Sequence, residues 1–467
     1  MTIKRISVIS WTVCTGVAAL LGLAWGCGSG RGDSETPSAT LRLVPAAAEL
    51  KVGGTVDLRV EDGQGNPVAV SFAVLEAGGG SVGAGGRYQA PAAPGTFHVR
   101  ATSLQEPVRS VEGAFAVTAY QAALAPAPPS LWTRVDHSAT ILNDGSVLLA
   151  GGPESSALER YLPGAGTFVQ AGDLGMRRWA HQASPLRDGR ILLTGGIGPS
   201  GALATAQTYD TLAGVRTVGP LGLARILHAA EVLADGRVLL AGGLPATGAE
   251  VLATTSAEVF DPATGAFSAT GAMGSGRTGH TATLLPGGKV LITGGRNSTC
   301  LFGCQQVIWA SAELFDPATG TFAPTGAMAQ ARFGHTATPL PDGRVLIAGG
   351  TTPDLPDTDV SSAIEIYDPA TGAFSPGGTL LRPRSRHTAT RLTDGRILFG
   401  FGLTHGEGTM ASATLEVFDP ATAQSTLVVS GLSTRHRHTA TRLPSGEVLL
   451  AGGSEGGAGI RLAERLR

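Results

Sequence analysis

One pattern returns seven times in the C-terminal part of this sequence, and it predicts an all-β protein: a seven-bladed β-propeller of four-stranded blades preceded by a small β-sandwich. Each return opens on Arg-x-x-His, runs through a short strand and a turn ending in Gly, and closes on an apolar strand ending in Gly-Gly, except that Gly400-Phe-Gly402 replaces the pair in the sixth. The returns are spaced by roughly 44 to 55 residues, the range of propeller repeats. Ahead of them lie several short alternating strands separated by turn residues, as in a compact antiparallel sandwich.

At the N-terminus, Lys4 and Arg5 precede an uncharged apolar run from Ile6 to Gly26, and Cys27 follows. The arrangement resembles a bacterial lipoprotein signal, which implies a signal peptide over residues 1–27 with Cys27 acylated. An uncleaved membrane anchor of about 20 residues and conventional secretion are the other readings. All three export the rest of the chain. The expected location is the outer membrane or cell surface as a lipoprotein, otherwise the periplasm or the medium. Residues 28–39 are small and polar, as in a flexible tether. The Arg31-Gly32-Asp33 tripeptide within them is read as chance.

Charge excludes one class of partner. Lys+Arg 34 against Asp+Glu 36 gives a formal net charge of -2, without the basic block expected of a nucleic-acid binder. The cysteines fit export, since only Cys300 and Cys304 lie beyond the signal. Two cysteines this close in an exported loop are expected to form a disulfide; free thiols or a metal site are the alternatives.

The region 40–120 carries Leu41–Val44, Thr55–Val60, Val68–Val74, Thr96–Thr102 and Ala114–Val117 as strand-like runs. Asp62-Gly63 and Gly65-Asn66-Pro67 supply turns. Gly86-Arg-Tyr-Gln-Ala-Pro91, followed by Gly95-Thr-Phe-His-Val-Arg-Ala-Thr-Ser103, resembles the C-terminal half of bacterial Ig-like domains. The resemblance implies an Ig-like β-sandwich serving as a spacer, with His98 facing solvent.

In the array, the arginines are Arg134, Arg178, Arg225, Arg277, Arg332, Arg384 and Arg435. The histidines three residues on are His137, His181, His228, His280, His335, His387 and His438. Asp-Gly turns such as Asp342-Gly343 make tight hairpins. The second strand, as in Val290-Leu-Ile292, is apolar on both faces, as a strand between stacked sheets must be. A third strand carries Glu159, Glu258, Glu313, Glu365, Glu416 or Glu464, with Gln207 in the second repeat. A turn follows, as in Asp316-Pro-Ala-Thr-Gly320, with Thr211-Leu-Ala-Gly214 in its place in the second repeat, and a short fourth strand completes a four-stranded unit. The last repeat stops after its third strand, so residues 122–131, before the first Arg-x-x-His, are expected to complete blade seven and close the ring.

These motifs resemble the kelch family, in particular exported bacterial kelch proteins and the galactose-oxidase-like central domain, over residues 121–467. Two readings of chemistry follow. Histidines repeated once per blade are too dispersed for a metal, whose ligands lie about 2 Å away, so a structural role is expected. Each arginine is expected to pair with a third-strand glutamate and fix blade to blade. Related copper-radical oxidases use a tyrosine, histidines and a cysteine–tyrosine crosslink. Here no cysteine is placed to crosslink Tyr161, Tyr209 or Tyr367. The two Gly-x-Ser-x-Gly matches, at 79–83 and 452–456, lack the helix a hydrolase elbow needs. No catalytic residue, metal or cofactor is expected. Loops after the Gly-Gly endings carry Phe302, Trp309, Asp354, Asp357, Asp359 and His405, the candidate binding residues. The expected function is binding, by a monomer, of a protein or glycan at the envelope; a carbohydrate-active enzyme or a scaffold without a small ligand is the alternative.

Overall fold

The computed structural model describes residues 40–91, 93–105, 107–118, 124–246, 252–298, 306–353, 360–405, 410–429 and 433–466. Every regular element among them is a β-strand.

From Leu124 onward, seven four-stranded antiparallel sheets follow one another. The fourth is representative: Thr281–Leu284, Val290–Thr293, Ala312–Asp316 and Thr321–Pro324 pair in that order. In the seventh, Thr439–Arg442, Val448–Ala451 and Ala463–Leu466 are joined by Leu124–Ala127, with Ala125 opposite Arg465. One sheet thus holds strands from both ends of the array. First strands of neighbouring sheets touch all the way round, including Ser138–Ile141 against Thr439–Arg442. They are the innermost strands of a β-propeller.

The cores explain why the sheets must stack. In all seven second strands every residue is buried, and each apolar cluster lies between two sheets. Leu239 and Val259 of the third sheet pack with Val290, Ile292 and Phe315 of the fourth. Leu449 and Ala463 of the seventh pack with Val147, Leu149 and Tyr161 of the first. A fully buried Leu, Ile or Val is worth about 1.5–3 kcal/mol, against about 0.5–1.5 kcal/mol net for a hydrogen bond. Burial therefore closes the ring, while hydrogen bonds set its register.

The region before the array folds into three small sheets. Ala47–Lys51, Ser110–Thr118, Gly95–Ser103 and Val70–Val74 form the largest, with the first pair parallel. Thr55–Asp57, Arg87–Gln89 and Ser81–Val82 form a second; Arg42–Val44 and Arg59–Glu61 a third. The single strand expected over Thr55–Val60 is two, because the buried Leu58 donates its N–H to the Gly86 carbonyl (2.9 Å) and leaves both ladders. Tyr88 and Phe115 stack at the centre, 5.2 Å apart. His98 is half-exposed and bonded to Glu76.

This unit rests on the propeller through backbone bonds. Lys51 N–H donates to the Ser445 carbonyl (2.9 Å), and Thr55 N–H to that of Pro444 (2.7 Å). The Thr393 hydroxyl donates to the Val52 carbonyl. The approach requires glycine: a Cβ on Gly54 would lie 2.5 Å from the Ser445 oxygen.

Candidate functional site

The propeller presents two unlike faces. On one, Asp-Gly turns and Asp-Pro turns meet; Arg190, just after Gly189, donates to the Pro262 carbonyl of the next sheet (3.0 Å). The sandwich rests on this face. The other face carries the Arg-x-x-His segments and the hairpins that follow Gly-Gly. Those hairpins bridge back to the arginine segment of their own repeat, as Thr278 does with Arg296 and Ser385 with Leu403.

Each repeat arginine is fully buried and organises its own repeat. Arg277 donates to the Gly294 carbonyl (2.9 Å), the Ser311 carbonyl (2.9 Å) and hydroxyl (2.8 Å), and Glu313 (2.9 Å). Glu313 in turn accepts the Gly274 N–H (2.8 Å). The same ion pair joins Arg134 to Glu159, Arg225 to Glu258, Arg332 to Glu365, Arg384 to Glu416 and Arg435 to Glu464. Both partners belong to one repeat, so the pair does not fix blade to blade as expected. It ties the incoming linker to the third strand, because the guanidinium lies against its own second and third strands. Arg178 differs: it meets Gln207 Oε1 (2.9 Å) rather than a carboxylate, and burial pushes it down to about 10.

Adjacent repeats are joined by backbone and imidazole. The second glycine of each pair donates its N–H to the arginine carbonyl of the next repeat, as Gly350 does to Arg384 (2.9 Å), and Gly453 returns to Arg134 (2.8 Å). The first glycine is required by the same contact. A Cβ on Gly349 would lie 2.3 Å from the Arg384 oxygen, and its φ is +65°. In repeat six Phe401 takes this place at φ +51°, with its ring against His438 (4.9 Å) and Arg435 (4.4 Å).

The repeat histidines are buried, and six point Nε2 at a hydroxyl of the preceding sheet. His387 meets Thr336 (3.0 Å), His438 meets Thr388 (3.0 Å), His137 meets Thr439 (3.0 Å) and His181 meets Ser138 (2.9 Å). His228 uses Thr194 (3.0 Å), and His335 uses Thr281 (3.2 Å). His280 finds no side-chain hydroxyl, because Ala229 and Ala241 stand at those places. Burial first, then the neighbouring arginine, pushes His181, His228, His280 and His335 down to about 3 and the other three well below the ordinary range. These imidazoles are neutral joints.

Sequence reasoning missed two features near the axis. The residue before each histidine is left-handed, including Asp136 (φ 49°), Arg386 (φ 49°) and Arg437 (φ 56°), and at every one but Arg437 its N–H donates to the equivalent carbonyl one repeat back, as Ala180 does to Asp136 (3.0 Å). Arg437 also pairs with Asp136 (3.0 Å). The signal was faint: only Gly279 and Gly334 betray the positive φ. The second feature is Glu231, on an innermost strand where the other repeats carry Thr or Ser. Burial pushes it up to about 7, opposed by the Leu284 N–H of the next sheet.

Of the candidate binding residues, Trp309 is half-buried, its indole N–H donating to the Gly276 carbonyl (3.2 Å) and its ring 5.8 Å from the Arg277 guanidinium. It braces its loop instead of presenting a free aromatic face. His405 ends the strand Leu403–His405 on the hairpin face. Cys27, Cys300, Phe302, Cys304, Asp354, Asp357 and Asp359 lie outside the described residues. Two clefts open where the sandwich meets the turn face. One, of about 490 Å³, lies beside Asp57, Arg87 and Asn143; the other, of about 600 Å³, beside Gln89, Arg391 and Arg442.

Fold and site together define an all-β propeller whose buried polar repeats are architectural. No protein-family pattern matches the chain, and no curated protein does. Among solved structures, a fungal alcohol oxidase of the AA5 family in complex with copper is similar in fold. Its TM-score is 0.58 at 16% identity, over 73% of this chain and 76% of that one. At that identity the likeness establishes the fold. Among the described residues, no three His, Cys, Asp or Glu side chains gather as a metal site, and six repeat imidazoles are already engaged with hydroxyls. The repeat imidazoles therefore do not converge on a metal.

Proposed function

We propose that the seven sheets are the blades of a kelch propeller spanning 121–467, with residues 122–131 completing blade seven, carried by an Ig-like spacer over 40–120. A lipoprotein-type signal (1–27) acylated at Cys27 and a tether (28–39) would hold it at the cell envelope. The protein is a monomeric binding protein that recognises a protein or a glycan through the hairpin face.

The asymmetry of the two faces supports this reading. The turn face is short-looped and partly covered by the sandwich, whereas hairpins of unequal length gather on the other, Arg296–Ser298 with Gln306–Ile308 and Leu403–His405 with Met410–Ala411 among them. Variable loops on a rigid scaffold are the usual place for recognition. The test is a glycan array and an envelope pull-down with the full chain and a version whose hairpins in repeats four to six are shortened. Loss of partners on shortening is expected; their retention overturns the face assignment.

The second reading is a carbohydrate oxidase, favoured by the fold likeness to the copper alcohol oxidase. Copper content after loading, together with sugar-dependent oxygen consumption, separates it from the first.

A further inference from the structure

We infer that the cleft between the sandwich and the turn face, beside Arg391 and Arg442, is a binding site for a carboxylate-bearing sugar. It lies on the face opposite the hairpins and does not depend on what they bind.

The two arginines occupy the same register on the innermost strands of sheets six and seven, where the preceding sheet has Pro339. Each reaches one sheet back along the ring: Arg442 donates to the Arg391 carbonyl (3.2 Å), and Arg391 to the Pro339 carbonyl (3.5 Å). Among the described residues, neither guanidinium pairs with a carboxylate. Every buried repeat arginine but Arg178 has a glutamate, and the turn arginines Arg190, Arg237, Arg344 and Arg396 each hold an aspartate. Arg391 and Arg442 are thus anchored by backbone carbonyls, with most of their five N–H donors directed elsewhere. A planar fork fixed in this way suits a carboxylate.

The cleft supplies the rest. It measures about 600 Å³ and is lined by both arginines together with Thr55, Gln89 and Thr393, a volume typical of small-molecule sites. The Gln89 amide can donate and accept, and the Thr55 and Thr393 hydroxyls, whose protons go to the Pro444 and Val52 carbonyls, remain acceptors for a hydroxyl-rich ligand; Leu340 and Pro341 add apolar lining. Its walls are fixed to each other, because Thr55 N–H is bonded to the Pro444 carbonyl (2.7 Å) and the Thr393 hydroxyl to that of Val52. A ligand arriving there has little loop ordering to offset.

The test titrates the full chain with trigalacturonate, its methyl ester and malonate. Trigalacturonate is expected to bind, the neutral ester to bind at least about tenfold more weakly, and the Arg391→Gln/Arg442→Gln protein to lose binding by a similar factor. The Arg190→Ala/Arg237→Ala protein, which removes equal charge from the turn face of sheets two and three, should bind as the parent does. Melting curves confirm that each variant folds; if the double variant does not, Arg442→Gln alone, whose side chain is exposed, carries the comparison. Equal affinity for the ester, or undiminished binding by the folded variant, overturns the site. Malonate binding as tightly as the trimer overturns the sugar and leaves only an anion cradle.

Discussion

Arg178 is buried against Gln207, a neutral amide, where its six counterparts each meet a glutamate. Gln207 turns its amide to donate to the Leu174 carbonyl (3.0 Å). The Gly175 N–H, which elsewhere in the array would be taken by the glutamate, goes to Asp173 (2.7 Å). A guanidinium is therefore enclosed with dipoles alone. Gln207→Glu should raise stability by about 1–3 kcal/mol, since an uncompensated buried charge is the expensive case. Chemical denaturation of the two proteins decides it. An unchanged midpoint would mean that the four surrounding acceptors already satisfy Arg178.

The converse change is costly. Arg277→Ala strands Glu313, leaves the Gly294 carbonyl without its donor and leaves the Ser311 carbonyl only the Gly294 N–H (3.3 Å), so a loss of about 3–5 kcal/mol is expected. Adding Glu313→Ala should cost less than the sum of the single changes, because the two act as one unit. A double-mutant cycle by urea denaturation measures the difference; strict additivity would contradict the pairing.

Between sheets three and four, His280 is the one repeat imidazole facing only alanines. Ala229→Thr would set a hydroxyl where Thr336 meets His387, and should stabilise by about 0.5–1.5 kcal/mol. Thr336→Ala should do the reverse. A melting temperature that falls in the first variant would show that the gap cannot admit the extra methyl group.

Acid should unfold the protein steeply. Seven histidines have folded values far below the ordinary 6.5, so below that pH the unfolded chain binds protons that the folded chain refuses. Stability is complete above about pH 6.5 and declines as pH falls, by about 1.4 kcal/mol per unit for each histidine that titrates only on unfolding. Denaturant midpoints measured across this range should show it. A flat profile between about pH 6.5 and 5 would refute neutral burial of the imidazoles.

Glu231 works with the opposite sign. Its folded value near 7 exceeds that of an unfolded glutamate, so it favours folding below about pH 4.5 and loses that advantage as pH rises through 7. Glu231→Gln should gain about 1–3 kcal/mol at alkaline pH and little near pH 5. An equal gain at both would trace the effect to packing instead.

The all-β propeller was legible because its causes are local and repeated. Asp-Gly turns, the all-apolar run Val290-Leu-Ile292 and the terminal glycine pair each act within a few residues. What was not legible depends on contacts across the chain. Spacing alone could not tell whether Arg277 would meet Glu313 in its own repeat or Glu258 in the one before, since both stand in equivalent strands. Left-handed backbone at Asp136 and Arg437 is imposed by ring closure, with no glycine to announce it. The close approach of Gly54 to Ser445 joins residues some four hundred apart, which no local pattern announces. Nothing in a linear text says that Arg391 and Arg442 meet backbone carbonyls and no described carboxylate.

The strap at Gly53–Thr55 has a mechanical consequence. It grips Pro444 and Ser445, in the sheet that also contains Leu124–Ala127, where the two ends of the array are zipped together. Tension applied ahead of residue 40 must first unravel the sandwich or prise it from that sheet before it reaches the zip. The sandwich would then serve as a sacrificial link, yielding under load so that the ring behind it stays shut.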